Sequence, residues 1–310
     1  MFRYTVRRLL QMLLTFLGTT VIVYALMFAA QTDPVQALAG DRPVSQATRD
    51  YLTRRYHLDK HGFGGFCYRY WDYLSHLLRG DLGQTLGGRS IGQLLAQAWP
   101  YTAELAGIAI AFVVLFGVTA GILAGLRRGG LFDHATLGLT LVVIGIPVFV
   151  LGFVAQYLLG VRWQVFPVTG AGTLYSLLLP GLVLSSVSLA TALRLTRTSI
   201  VESLHADHVR TAMANGLPRW RVVGVHVLRN SLIPIVTFLG VELGNLMAGA
   251  VVTERIFNVP GVGFNLYKAI STEDGPTVVG IVSVLVAVFL VVNLVVDLLY
   301  AVLDPRIRYG

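Results

Sequence analysis

Six apolar runs decide what this chain can fold into. They cover residues 9–30, 103–126, 135–160, 177–193, 233–252 and 278–303, and each holds at most one charged side chain. A helix needs about 20 apolar residues to cross a hydrocarbon core. The run 177–193 is the weakest of the six, being short and rich in Ser and Thr. Lipid offers no partner for backbone N–H and C=O groups, so each run must satisfy its own as a helix. The expected fold class is therefore an all-α polytopic membrane protein with six transmembrane helices. A chain that is 55% hydrophobic and only 13% charged is also too apolar for an ordinary soluble domain.

The basic residues orient these helices. Arg3, Arg7 and Arg8 precede the first run, Arg127 and Arg128 follow the second, and Arg194 and Arg197 follow the fourth. Arg210, Arg219, Arg221 and Arg229 lie between the fourth and fifth, and Arg306 and Arg308 follow the sixth. If the spans alternate, all of these share one side, while the short loops opposite hold only Arg162, Arg255 and Lys268. The positive-inside rule then puts both termini of this multi-pass protein in the cytoplasm. The formal charge of +8 reports this topology and implies lipid as the surrounding partner, not nucleic acid. The first run exceeds the 7–15 residues of a secretory h-region, so it is expected to stay as a span. Cys67 is the single cysteine, which excludes an intrachain disulfide.

Three regions follow: residues 1–30 as cytoplasmic N-terminus and first span, 31–99 as an external segment, and 100–310 as a core of five spans. The external segment has turn signals at Asp33-Pro34, Asp41-Arg42-Pro43 and Gly62, Gly64 and Gly65. Within it Tyr70, Tyr73, Leu74, Leu77 and Leu78 fall at helical spacing before a stop at Gly80. That helix suits a lipid surface, with its tyrosines and Trp71 at headgroup level, or a platform for an external partner. A turn at Asn258-Val-Pro-Gly-Val-Gly263 precedes a short helix over 264–270.

Several familiar catalytic motifs are missing from the sequence: it has no GxxxxGK[ST], HExxH or paired-cysteine metal motif. His57 and His61, with Cys67 and His76 nearby, lack acidic ligands at supporting spacing, so no metal is expected there. The polar interruption at 201–230 is more organised. Residues 203–214 have helical composition, Asn215-Gly216 supplies a stop, and Pro218 suits the first turn of a second helix. Such an elbow presents 210–217 outward for docking; the plainer alternative is a solvated loop that only enforces topology. Inside the spans, Glu242 and Asn245 lie three apart among Gly240, Gly244 and Gly249. An intramembrane carboxylate serves either a water-filled pathway or helix packing. Asn293, Asp297, Tyr300 and Asp304 make a second polar stripe, expected to pack against Arg194 and Arg197 or to line a pathway.

The run His208-Val-Arg-Thr-Ala-Met-Ala-Asn-Gly-Leu217, with Val225-His-Val-Leu-Arg-Asn-Ser-Leu-Ile-Pro234, resembles the cytoplasmic signature loop of ABC importer permeases. It is most similar to the first-permease type of the dipeptide/oligopeptide (peptide/nickel) branch. Arg7-Arg-Leu-Leu, Gly80-Asp-Leu-Gly83, Glu254 with Phe257 and Pro260-Gly-Val-Gly263, and Asp304-Pro-Arg-Ile-Arg308 extend the resemblance over nearly the whole chain. It departs from the general signature in having Arg210-Thr211-Ala212 for Glu-Ala-Ala and Leu228-Arg229 for Leu-Pro, as in the peptide branch. Only Thr32-Asp33-Pro34 stands where Pro-Gly-Asp-Pro is usual. The resemblance implies a type I ABC importer permease fold and a pore-forming, non-enzymatic subunit for dipeptides or oligopeptides. It also implies a second homologous permease, two ATPase subunits that use the ATP, and an external substrate-binding protein. It implies no cofactor on this chain. By the same resemblance Asp207, Arg210, Thr211, Ala212, Asn215, Gly216 and Leu217 couple to an ATPase subunit. The alternatives are a permease for nickel or another small solute, and a stand-alone secondary transporter.

Overall fold

The computed structural model describes residues 2–29, 45–55 and 62–303. Among these the chain is helical throughout apart from turns and one isolated bridge between Gln84 and Ser90. The helices are α1 (Phe2–Ala29), α2 (Gln46–Arg55), α3 (Gly62–Leu78) and α4 (Ile91–Leu126). They continue with α5 (Leu131–Gly145), α6 (Val148–Arg162), α7 (Leu174–Leu204) and α8 (Asp207–Ala214). After α9 (Arg219–Ala248) come α10 (Val251–Phe257), α11 (Val262–Ser271) and α12 (Gly275–Leu303). The turns at Asp33-Pro34 and Asp41-Arg42-Pro43, His57, His61, Asp304, Arg306 and Arg308 lie outside the described residues.

Among the described residues five helices are long and apolar enough to cross a membrane: α1, α4, α7, α9 and α12. The expected third span is not one continuous helix. It is the pair α5 and α6, bent by 102° at a short break. Pro147 causes the break, since it cannot donate the ladder hydrogen bond and it pushes the preceding residue out of the helical region. Ile146 accordingly sits at φ −103°, ψ 126°. Counted as one span, the bent pair brings the described spans to six.

The fold divides into two compact units. In the first, residues 1–102 and 260–294, α3 packs through its aromatic face. Tyr24 of α1 lies 5.5–5.7 Å ring to ring from Phe66, Tyr70 and Tyr73, with Val279 of α12 completing the cluster. Tyr70 shares a 2.9 Å hydrogen bond with Thr20, and the Tyr73 hydroxyl donates to Ser283 at 2.6 Å. These tyrosines therefore face protein and not headgroups, because each hydroxyl finds a partner inside. Burial pushes the Tyr73 hydroxyl up to about 12, so it remains a donor throughout the neutral range. Trp71 stays exposed on the outer side of α3. The helix stops where expected, with Gly80 at φ +79°. Helix α11 begins at Val262, two residues earlier than the sequence suggested, because its N–H donates to the buried Thr102 hydroxyl at 2.8 Å.

The second unit, residues 103–259 and 295–310, is built around α7. The run that looked weakest as a span is the most buried of the five, with 67% of its apolar window inside the protein. Its serines explain the paradox. Ser185 and Ser186 return their hydroxyl protons to the carbonyls of Leu182 and Val183, at 3.0 and 2.7 Å, so they can be buried without an outside partner. Thr173 and Ser176 form a capping box that starts the helix.

Three glycines of α4 let α7 approach closely. A Cβ at Gly117, Gly121 or Gly125 would lie 2.9, 2.6 or 2.7 Å from Leu189 O, Leu193 O or Ile200 Cβ. Spaced four apart, they form a small-xxx-small stripe, which in lipid replaces the missing hydrophobic drive with contact area. Gly121→Ala is expected to destabilise this unit by about 1–3 kcal/mol, the usual range for overpacking, because the obstructing atom is backbone. Thermal unfolding of the purified protein in detergent measures it, and Gly138→Ala, with open space around it, is the matched control.

Candidate functional site

The elbow between α7 and α9 is made by local rules. Helix α7 runs on to Leu204 and a turn at His205-Ala206 separates it from α8, so the expected helix over 203–214 is two pieces. Helix α8 ends in a Schellman motif. Gly216 N–H donates to Met213 O at 3.0 Å and Leu217 N–H to Ala212 O at 3.3 Å, while Gly216 takes φ +76°. Pro218 serves as the N-cap of the next helix, its carbonyl accepting from Arg221 and Val222 at 2.9 and 3.1 Å.

Helix α8 is anchored by one face. Val209 and Ala212 are buried with Ile200, Val222 and Val227, and Leu217 packs on the same cluster. Ser203 donates to Val227 O at 3.3 Å, and Ser231 to Ser199 O at 3.1 Å, tying α7 to α9 beneath the elbow. The His208 ring shares a 3.0 Å hydrogen bond with Asn230, which fixes the Nε2 atom as the acceptor. The other face is open. Asp207, Arg210, Thr211, Asn215 and Gly216 are exposed, and so are Met213 and Trp220. Arg210 Nη1 lies 3.7 Å from Asp207 Oδ1, a solvated pair that contributes little to stability. Of the seven residues singled out by sequence, Ala212 is an anchor, Leu217 is half-buried, and the other five form an outward surface. Sequence reasoning passed over Met213 and Trp220, although two large apolar side chains in so polar a segment are themselves a signal of a covered surface.

The intramembrane polar groups separate into two arrangements. Ser188 of α7 donates to one oxygen of Glu242, and Asn245 Nδ2 donates to the other at 3.2 Å. Ser188 is buried, Glu242 half-buried and Asn245 exposed. In α12, Asn293 donates to Phe289 O at 3.0 Å, one turn back in its own helix, and Asp297 is half-buried. The side chain of Tyr300, like Asp304, is outside the described residues.

Among the described residues the partner found for Arg197 lies outside that stripe. Its partner is Asp133 in the first turn of α5, with Nε to Oδ1 at 2.6 Å and Nη2 to Oδ2 at 2.8 Å. The same carboxylate accepts from Gly129 N–H at 2.9 Å. A planar guanidinium matches a carboxylate in this two-pronged way. Arg194 is exposed. Among the described residues no three His, Cys, Asp or Glu side chains converge on a metal-sized site.

The family model described as binding-protein-dependent transport system inner membrane component matches residues 117–309. A dipeptide transport system permease protein of Escherichia coli strain K12 is 34% identical over 341 aligned positions, covering all of this chain and 99% of the relative. A di/tripeptide transport system permease protein of Pseudomonas aeruginosa is 36% identical over 338, again covering 100% and 99%. A glutathione transport system permease protein of Pectobacterium atrosepticum is 35% identical over 312, covering the whole of both.

Proposed function

This chain belongs to the binding-protein-dependent transport inner membrane component family, the permeases of ABC importers, and we propose that it carries short peptides through the membrane. The observation that carries the reading is end-to-end similarity to three permeases whose names all specify short peptides: dipeptide, di/tripeptide and glutathione. All three cargo classes are small and zwitterionic, with a free amine and carboxylates. The chain is a transport subunit, and the chemistry of ATP hydrolysis belongs to its partners. Neither the nickel alternative nor the stand-alone transporter draws support from these relatives.

In the proposed assembly a second, homologous permease completes the pore, two ATPase subunits dock beneath it, and an external binding protein delivers the peptide. Residues 1–30 enter from the cytoplasm, 31–99 face outward, and 100–310 form the permease core, with both termini inside. The elbow at 201–230 then lies on the cytoplasmic side. Asp207, Arg210, Thr211, Asn215 and Gly216, together with Met213 and Trp220, make the surface that an ATPase subunit grips. Supporting this are the buried underside of α8 and its exposed, partly apolar outer face. Closure of the ATPase pair would push α8 against α7 and α9, turning ATP binding into rotation of the spans.

The complete importer in proteoliposomes tests this. A binding protein loaded with di- or tripeptides is expected to stimulate ATP hydrolysis several-fold and to drive peptide uptake. If no short peptide stimulates hydrolysis while another solute does, the peptide reading is lost and the permease reading stands.

A further inference from the structure

Glu242 is placed where lipid cannot be its neighbour. Its hydrogen-bond partner Ser188 lies beside the midpoint of α7, so the carboxylate sits well inside the hydrocarbon zone. Helix α9 buries Ile235 and Leu246. About a third of a turn away it exposes Pro234, Val241 and Asn245 along one stripe. Glu242 stands at the border between the two, half-buried. Among the described residues no ion pair reaches it. A carboxylate in a span almost always faces the protein interior or a water-filled cavity.

The hydrogen bonds set what this border offers. Each oxygen of Glu242 accepts one donor, from Ser188 or from Asn245, and a carboxylate has about four acceptor positions. Capacity therefore remains on the open side. Asn245 spends one of its two amide N–H groups on Glu242, and its amide oxygen adds an acceptor to the carboxylate. The result is a negative patch rich in acceptors. A group that presents several N–H donors and one positive charge complements it.

We propose that Glu242, oriented by Ser188 and Asn245, faces the translocation pathway and binds the α-ammonium group of the peptide in transit. The inference rests on the peptide-import reading above. It gives that reading a specificity determinant: a peptide whose amine is free is held at this level, and one whose amine is acylated is not.

Cysteine accessibility in the complete importer provides the test. Val241→Cys is introduced in a Cys67→Ser background, on the open stripe and beside an intact Glu242. Two water-soluble methanethiosulfonates, one carrying trimethylammonium and one carrying sulfonate, are compared after normalising each to its rate with a free thiol. Both are expected to react, the cationic reagent about tenfold faster. Glu242→Gln erases that preference and Glu242→Asp keeps it. A dipeptide with a free amine, delivered by its binding protein, slows labelling several-fold only when the carboxylate is present. The N-acetylated dipeptide gives no protection. Absence of labelling puts this face against lipid or the second permease and overturns the inference. Labelling without charge preference overturns it too. If peptide uptake persists while no peptide protects, the inference fails alone; if no peptide is taken up at all, the import reading falls with it.

Discussion

Gly216→Val is expected to reduce ATP-driven uptake by tenfold or more while the subunit still reaches the membrane in normal amount. The reason is conformational and not steric. Gly216 sits at φ +76°, yet a Cβ added there meets nothing within 4 Å. An L-residue in this left-handed region costs roughly 1–2 kcal/mol, and a β-branched one more. Since 1.4 kcal/mol is a factor of ten in population, that strain is enough to unmake the elbow. Little else holds its tip, because α8 is anchored through Val209 and Ala212 and everything from Met213 to Arg221 is exposed or half-buried. A graded series separates the mechanism from a contact effect. Asn tolerates the left-handed region, so Gly216→Asn should keep most of the uptake, Gly216→Ala less, and Gly216→Val least. If Asn is as damaging as Val, the position is read by a partner surface through its lack of a side chain. If Val is harmless, coupling does not pass through this turn. Uptake per reconstituted complex, with ATP hydrolysis measured alongside, distinguishes these results.

The elbow shows how much of this architecture was legible beforehand. Gly216 and Asn215 end α8 as their residue types demand, since the stop is a local backbone rule. The existence of the spans was legible for a similar reason: lipid forces each apolar run to satisfy itself. The bend at Ile146-Pro147 was signalled by Pro147, but an uninterrupted apolar run from 135 to 160 masked it. Hydropathy also misjudged α7, because it measures suitability for lipid and α7 is mostly buried in protein. Ser185 and Ser186 satisfy themselves on their own helix, which the composition alone does not reveal. The glycine stripe 117, 121, 125 was present in the sequence at the right spacing, whereas attention fell on Gly240, Gly244 and Gly249. Of those, Gly240 does meet a neighbour, with its Cβ position 2.8 Å from Val296. Pairings between distant helices were the least accessible. Nothing local distinguishes Asp133 from Asp297 as the partner of Arg197; tertiary proximity alone selects it.

That pairing carries the largest expected stability effect. Asp133 has a side chain only 1% exposed and Arg197 one 21% exposed, and the two meet through both carboxylate oxygens. Truncating one partner of a buried pair leaves the other charge uncompensated, at a cost of about 3–5 kcal/mol. Asp133→Ala is therefore expected to lower the melting temperature of the purified protein by several degrees, and Arg197→Met to do much the same. Arg197→Lys should recover part of the loss, since a point charge cannot engage both oxygens in a fixed plane. The double variant Asp133→Leu with Arg197→Met removes both charges and should be less damaged than either single one, because replacing a whole buried pair by apolar side chains is often close to neutral. Asp133 also holds Gly129 N–H, so the loop between α4 and α5 loses its tether in either Asp133 variant. This gives the double variant a second readout. Helix α7 continues from Arg197 to the turn that launches α8, and the proposed coupling requires that base to stay firm. Stability restored without restored coupling would mean that the ion pair positions the elbow; recovery of both would make it a stability element alone. Should the double variant melt lower than each single one, the pair is a net stabiliser in its own right and the uncompensated-charge account is wrong.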